Sequence, residues 1–111
     1  KQRQSPPLKK WEHASYPLER VHIDFAGPLG GKMLLVLVDN FTRWPEVVAM
    51  NSSLASDTVY KLMEIFSRIG IPQKIVSDNG PTFTLEIFKS FVNKHSIEHI
   101  RSPPFTLLQT I

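Results

Sequence analysis

The fold is decided by the stretch RVHIDFAGPLGGKMLLVLV, residues 20–38. In residues 20–25 polar and apolar side chains alternate, a pattern that predicts a half-buried β-strand. Gly27–Gly31, with its proline, interrupts the pattern, and Lys32–Val38 then forms the nearly continuous apolar run that is typical of a central strand. Two strands joined by so short a break are predicted to form an antiparallel hairpin.

The hairpin is followed by a third strand and a long helix. Trp44–Met50, which has Val47, Val48 and Ala49 after its proline, predicts a strand. From Ser56 the apolar residues recur at helical spacing, so Ser56 is the predicted N-cap and Gly70 the predicted end of the helix. The predicted apolar face consists of Val59, Leu62, Met63, Phe66 and Ile69.

The remaining part predicts strand, helix and strand. Lys74–Ser77 is a short fourth strand, and Ile97–Arg101 is the last one. Between them a helix is predicted with Thr84 as its cap and an end near His95. Its predicted apolar face is Ile87, Phe88, Phe91 and Val92. An antiparallel meander followed by crossover units predicts an α/β fold with a mixed sheet.

Length and charge give the domain plan. A chain of 111 residues suits one domain. Residues 1–18 are basic and contain prolines, a composition that predicts a linker. The packed domain is expected over residues 19–105, and residues 106–111 are expected to form a divergent tail. The net charge of +3 belongs to the linker, because the four basic residues of its first ten exceed it. There is no cysteine, which excludes disulfides and thiolate metal sites.

Two carboxylates carry the candidate chemistry. Asp24 lies on the polar side of the first strand, and Asp78 lies where the fourth strand ends. If these strands are neighbours, both side chains face one cleft, where like charges need a cation or a shared proton. Carboxylate oxygens suit Mg²⁺ or Mn²⁺. The residues alone leave a plainer alternative open, in which Asp78 serves only the Asp-Asn-Gly turn and Asp24 is an exposed strand residue.

Four ordered blocks resemble the integrase catalytic core of gypsy-type LTR retrotransposons and retroviruses. They are Glu19–Pro28, Val38–Glu46, Ile75–Phe83 and Ile97–Phe105, preceded by Trp11. The resemblance implies a ribonuclease H-like fold, here expected to be incomplete at its C-terminus. It also implies that Asp24 and Asp78 are catalytic residues that bind Mg²⁺ or Mn²⁺.

The family uses a third acid, a glutamate on a later helix, which would fall beyond Ile111. Residues 106–111 already depart from the family pattern, and Glu86 and Glu98 lie in the wrong elements to replace it. Weak cation binding and incomplete catalysis are therefore expected of this integrase core fragment, whereas complete relatives perform divalent-metal-dependent DNA end processing and strand transfer. The alternative is an inactive nucleic-acid- or protein-binding module derived from an integrase.

The resemblance also sets expectations about partners and compartment. It implies DNA as the main partner and a homo-oligomer as the assembly. Neither a membrane nor a small-molecule substrate is expected. The expected location is intracellular, which includes the nucleus.

Overall fold

A computed structural model describes residues 13–101 of the chain. These residues form one mixed β-sheet with helices packed against it. In chain order the elements are β1 Arg20–Leu29, β2 Lys32–Asp39, β3 Pro45–Met50, α1 Ala55–Ile69, β4 Lys74–Ser77, α2 Pro81–Thr84, α3 Glu86–Lys94 and β5 Glu98–Arg101.

The sheet has the strand order β3-β2-β1-β4-β5. β1 pairs with β2 and β2 with β3 in antiparallel fashion, while β4 runs parallel to both β1 and β5. The antiparallel meander and the later crossovers are therefore confirmed. The crossover through α1 returns the chain to the far side of β1, and this step brings the end of β4 beside β1.

The core lies between one face of the sheet and the helices α1 and α3. Val21 and Ile23 of β1 and Ile75 of β4 are fully buried there, as are Leu62 of α1 and Phe88 of α3. The apolar residues of β1 that alternate in sequence share this face, because successive side chains of a strand point to opposite sides.

β1 differs from the prediction of a half-buried strand. Its first four residues are buried whichever face they occupy, including Arg20 and His22 on the polar side. β1 is the central strand, so side chains of β2 and β4 flank its own side chains on both faces of the sheet. The Arg20 guanidinium donates a hydrogen bond of 3.2 Å to Oδ1 of Asn40.

The start of α1 also corrects the sequence prediction. Ser56 is not the N-cap: the helix begins at Ala55, and Leu54 occupies the cap position without a side-chain hydrogen bond. The hydroxyl group that serves this end belongs to Ser52, which donates to Asp57 at 2.5 Å and accepts from the Leu54 amide at 3.3 Å.

The buried face of α1 is rotated from the predicted one. Met63 is 49% exposed, whereas Ala55, Thr58 and Ile65 are buried together with Leu62 and Phe66. Met63 is apolar but lies on the outer side of the helix. A prediction from hydrophobicity alone therefore placed the edge of the apolar face of α1 wrongly.

The predicted second helix is two helices. Thr84 is the last residue of the short α2, not a cap, and Leu85 then adopts an extended conformation before α3 begins. Pro81 starts α2 early because a proline lacks the amide hydrogen that a first helical turn leaves unbonded. In α3 the side chain of Ile87 is 45% exposed, so the buried face is Phe88, Phe91 and Val92.

The packed part of the chain begins before the predicted boundary at residue 19. Ala14 is buried, and its amide donates a 2.7 Å hydrogen bond to Oδ1 of Asn40, while Leu18 packs against the core. The predictions for residues 1–12 and 102–111, including Trp11 and the divergent tail, lie outside the described residues. No helix within residues 13–101 has the length and apolar character needed to cross a membrane.

Candidate metal centre and active-site cleft

Asp24 and Asp78 meet because β1 and β4 are parallel neighbours. The register pairs Arg20 with Lys74 and His22 with Val76. Continued by two residues, it places Asp24 level with Asp78, and neighbouring strands lie about 4.8 Å apart. Both aspartates line one open cleft of about 390 Å³. The predicted proximity of the two carboxylates is therefore present in the fold.

Asp24 is a half-buried carboxylate with an unusual charge environment. Burial raises the pKa of Asp24, the Phe25 amide opposes this rise, and the negative charge of Asp78 adds to it. The amide of Phe25 donates to Oδ1 of Asp24 at 2.8 Å. The ionised form of Asp24 is thus disfavoured unless a positive charge enters the cleft.

Asp78 is held by the turn that follows β4. Its Oδ1 accepts a hydrogen bond of 2.8 Å from the Gly80 amide. A Cβ atom added to Gly80 would lie only 3.0 Å from this Oδ1. A side chain at position 80 would therefore crowd the Asp78 carboxylate, and glycine leaves the carboxylate its present position.

An aromatic layer forms the wall beneath the carboxylates. Phe25 and Phe83 both line the cleft and stack with ring centroids 5.6 Å apart. Phe83 in turn contacts Phe88 edge-on at 5.3 Å, and Phe88 contacts His99 at 4.9 Å. These rings come from β1, α2, α3 and β5. The strand that carries Asp24 and the elements that follow Asp78 are therefore packed together through one aromatic layer.

The described residues bring two carboxylates to this cleft. Glu86 and Glu98 are exposed and do not line it, in agreement with their rejection as third ligands. Among residues 13–101 no group of three or more histidines, aspartates or glutamates is arranged to hold a metal ion. The chemistry available from this part of the chain is therefore that of a carboxylate pair.

Sequence reasoning missed the residues that support the pair. Ser77 is fully buried at the end of β4, and its hydroxyl lies 2.7 Å from Nε2 of His99. The four histidines show no ligand spacing, so no pattern in the sequence singles out His99. Phe83 directly follows the Asp-Asn-Gly-Pro-Thr turn, and this closeness to Asp78 was the available signal for its place at the cleft.

Comparison with known proteins identifies the family. A model of the integrase core domain matches residues 14–106. The chain belongs to the integrase core domain family. This integrase core is 46% identical over 93 residues to an uncharacterized protein of Caenorhabditis elegans. The aligned residues make up 84% of the chain and 7% of that protein. It is 43% identical over 65 residues to the Gag-Pol polyprotein of feline leukemia virus, covering 58% of the chain and 4% of the polyprotein.

A solved structure shares the fold of this integrase core. The HTLV-2 integrase catalytic core domain, in complex with magnesium and in a dimeric form, superposes with a TM-score of 0.77 at 23% identity. The match covers 86% of this chain and 67% of that one. The predicted ribonuclease H-like integrase fold is thereby confirmed. The chain spans only a small part of the length of these two relatives, 7% of the first and 4% of the second.

Proposed function

We propose that this integrase core takes part in DNA integration, with Asp24 and Asp78 binding Mg²⁺ or Mn²⁺ at the site of DNA end processing and strand transfer. The observation that carries the proposal is the placement of two carboxylates at one level of adjacent parallel strands, in a shared cleft of a fold whose family is established.

The donor set suits a hard divalent cation. The cleft offers carboxylate oxygens, and its lining contains neither a thiol nor an imidazole among residues 13–101. Burial and, to a smaller extent, the Asp78 charge raise the pKa of Asp24, and a bound cation would oppose this rise by stabilising the ionised carboxylate. A divalent cation supplies, in phosphoryl transfer, activation of the attacking oxygen and stabilisation of the leaving oxygen.

In this proposal the two aspartates have distinct supports. Asp78 is oriented by the Gly80 amide, and Asp24 by the Phe25 amide and the strand that carries it. Phe25 and Phe83 give one side of the cleft an apolar wall, and an apolar surrounding strengthens electrostatic interactions. Two carboxylates hold a cation weakly, so efficient catalysis requires a third one from outside residues 13–101.

The test is a DNA assay with the 111-residue chain. A labelled double-stranded DNA end is titrated by fluorescence anisotropy with Mg²⁺, with Mn²⁺ or with EDTA, and cleavage is followed on gels. We expect cation-dependent DNA binding that is lost in Asp24→Asn and Asp78→Asn, with little or no cleavage. Glu86→Gln, an exposed carboxylate outside the cleft, is the matched control. Cation-dependent cleavage that Asp78→Asn abolishes would show that two carboxylates suffice.

A second candidate function is an inactive binding module derived from an integrase. The observation that favours it is the presence of only two carboxylates at the cleft in the described part of the chain. Such a module binds nucleic acid or protein without a cation. DNA binding of equal strength in EDTA, in Mg²⁺ and in the Asp24→Asn variant would support this function against the first.

The proposal extends to assembly and location. DNA and further copies of the chain are the proposed partners, and an intracellular compartment, which includes the nucleus, is the proposed location. The dimeric form described for the HTLV-2 core supports the assembly. Light scattering of the purified chain tests it: a mass of one chain at every concentration up to the solubility limit would contradict a homo-oligomer.

A further inference from the structure

Ser77, which is fully buried, and His99, which is partly buried, form a polar contact directly behind the Asp78 turn. The Ser77 hydroxyl lies 2.7 Å from Nε2 of His99 and 2.9 Å from the carbonyl oxygen of Asp78. Ser77 has no exposed surface, so its hydroxyl needs partners within the protein. The two contacts supply them.

Hydrogen-bond chemistry fixes the direction of this chain. A serine hydroxyl has one hydrogen to donate and can also accept. The Asp78 carbonyl oxygen can only accept, so the Ser77 hydrogen must point towards it if that bond exists. The remaining bond then requires Nε2 of His99 to carry a hydrogen and to donate it to Ser77. Both contacts are satisfied together only by this arrangement.

The surroundings of His99 favour the neutral imidazole with its hydrogen on Nε2. The imidazole packs edge-on against Phe88 at 4.9 Å and against Phe83 at 6.5 Å. Burial, together with the positive charge of Arg101, lowers the pKa of His99 to about 4, so the ring is neutral near pH 7. A neutral ring carries a single hydrogen, and the Ser77 contact selects Nε2 for it.

We propose that His99 Nε2–H, the Ser77 hydroxyl and the Asp78 carbonyl form a hydrogen-bonded chain that fixes the Asp78 turn for cation binding. Ser77 and His99 are positioning residues and touch neither cation nor DNA. The carbonyl is the anchored end of the residue whose carboxylate accepts from Gly80 at 2.8 Å. The hydrogen bond from Ser77 to the carbonyl therefore limits the rotation of the Asp78 backbone and the movement of its carboxylate. The role rests on the proposed function of Asp78 as a cation ligand.

Three measurements on the 111-residue chain test this inference. The ¹⁵N shifts of the His99 ring report which nitrogen carries the hydrogen. Amide hydrogen exchange at Gly80 reports how firmly the Asp78 turn is held. Calorimetric titration with Mn²⁺ reports cation affinity. The first two do not depend on any cation, so they judge the positioning chain separately from the proposed function.

The variants are Ser77→Ala, which removes the hydroxyl, and Ser77→Thr, which keeps it. We expect the Nε2–H tautomer in the native chain and faster Gly80 exchange in Ser77→Ala. We also expect Mn²⁺ affinity about tenfold weaker in Ser77→Ala, the size seen when outer partners of metal ligands are lost. Ser77→Thr should restore both the exchange rate and the affinity.

The contrary results are equally definite. An Nδ1–H tautomer at His99, or Gly80 exchange that is the same in Ser77→Ala and the native chain, would overturn the positioning role. Absence of Mn²⁺ binding by the native chain, with the tautomer and exchange results as expected, would overturn the proposed function but leave the hydrogen-bonded chain established as a structural device.

Discussion

The carboxylate of Asp24 is half-buried and lies near the negative charge of Asp78, and both features cost the folded chain stability when no cation is present. The raised pKa of Asp24 expresses this cost, because burial and the neighbouring charge both disfavour its ionised form. Functional sites commonly retain such unfavourable arrangements, since the groups that bind a ligand cannot be optimised for stability at the same time.

Neutralising Asp24 is therefore expected to stabilise the cation-free chain. In EDTA at pH 7, Asp24→Asn should raise the melting temperature by less than about 4 °C, which corresponds to less than about 1 kcal/mol in a domain of this size. Added Mn²⁺ should raise the melting temperature of the native chain only. Calorimetry of both forms checks this, with the exposed Glu64→Gln as control. A lower melting temperature for Asp24→Asn in EDTA would contradict the repulsion.

Gly80 is expected to matter for cation binding more than for folding. A methyl group in Gly80→Ala would approach Oδ1 of Asp78 to 3.0 Å, so the carboxylate would have to shift by a few tenths of an ångström. Mn²⁺ affinity should fall about tenfold, as for other perturbed metal ligands. Gly30→Asn is a suitable control, because Gly30 has φ of 61°, which asparagine tolerates, and does not line the cleft. Equal affinity in Gly80→Ala and the native chain would refute the crowding.

At this scale the sequence predicted the two aspartates but not their supports. Asp24 and Asp78 stand out because each is a carboxylate at a definite place along a strand. Ser77 and His99 are 22 residues apart in the chain, and only the parallel pairing of β4 with β5 makes them neighbours. A hydrogen bond between side chains that distant leaves no pattern in a single sequence.

The helices show how far periodicity carries a prediction. The helical spacing of apolar residues correctly predicted that α1 exists and where it ends. It wrongly placed Met63 on the buried face and did not predict the burial of Thr58. Burial of Thr58 is tolerated because its hydroxyl donates a hydrogen bond of 2.9 Å to the Leu54 carbonyl within the helix. A residue scale that treats threonine as polar cannot anticipate this local solution.

Packing of α1 against the sheet is expected to be a main source of stability. Leu62 has no exposed surface, and Leu62→Ala should reduce the free energy of unfolding by about 2–5 kcal/mol through lost burial and a residual cavity. Tyr60 lies on the same helix and is 62% exposed, so Tyr60→Ala should change it by less than about 0.5 kcal/mol. Urea unfolding of both variants gives the comparison. Similar losses for the two would contradict the assigned helix face.

Two histidines, the buried His22 and the partly buried His99, make the stability of the whole molecule depend on pH. Burial lowers the pKa of His22 to about 4, with smaller contributions from Arg20 and Arg43, and burial lowers that of His99 to about 4 as well. In the unfolded chain a histidine titrates near 6.5. The unfolded state therefore takes up protons first as the pH falls, and stability is lost between about pH 6.5 and pH 4.

This loss can be measured by urea unfolding across that pH range. His22 is 1% exposed, and its contribution alone should be on the order of 2 kcal/mol. His99→Gln should flatten the pH dependence, because one titrating group is removed. A native profile that is flat from pH 7 to pH 4.5 would contradict neutral buried histidines.

The fold of the whole chain was more predictable than its details. The order of strands and helices limits the topology to a few arrangements, and the four sequence blocks selected one of them. Burial of β1 on both faces could not be predicted from its alternating pattern, because Arg20 and His22 are buried by the strand's central place in the sheet. Tertiary position, not local composition, decided their environment.

The central claim is that Asp24 and Asp78 together bind a divalent cation. Paramagnetic broadening of backbone amide signals by Mn²⁺ tests it most directly, since the effect falls steeply with distance from the ion. We expect broadening at the amides of Phe25 and Gly80 first, and its disappearance in Asp24→Asn and in Asp78→Asn. Broadening that begins elsewhere, or that survives both substitutions, would contradict the claim.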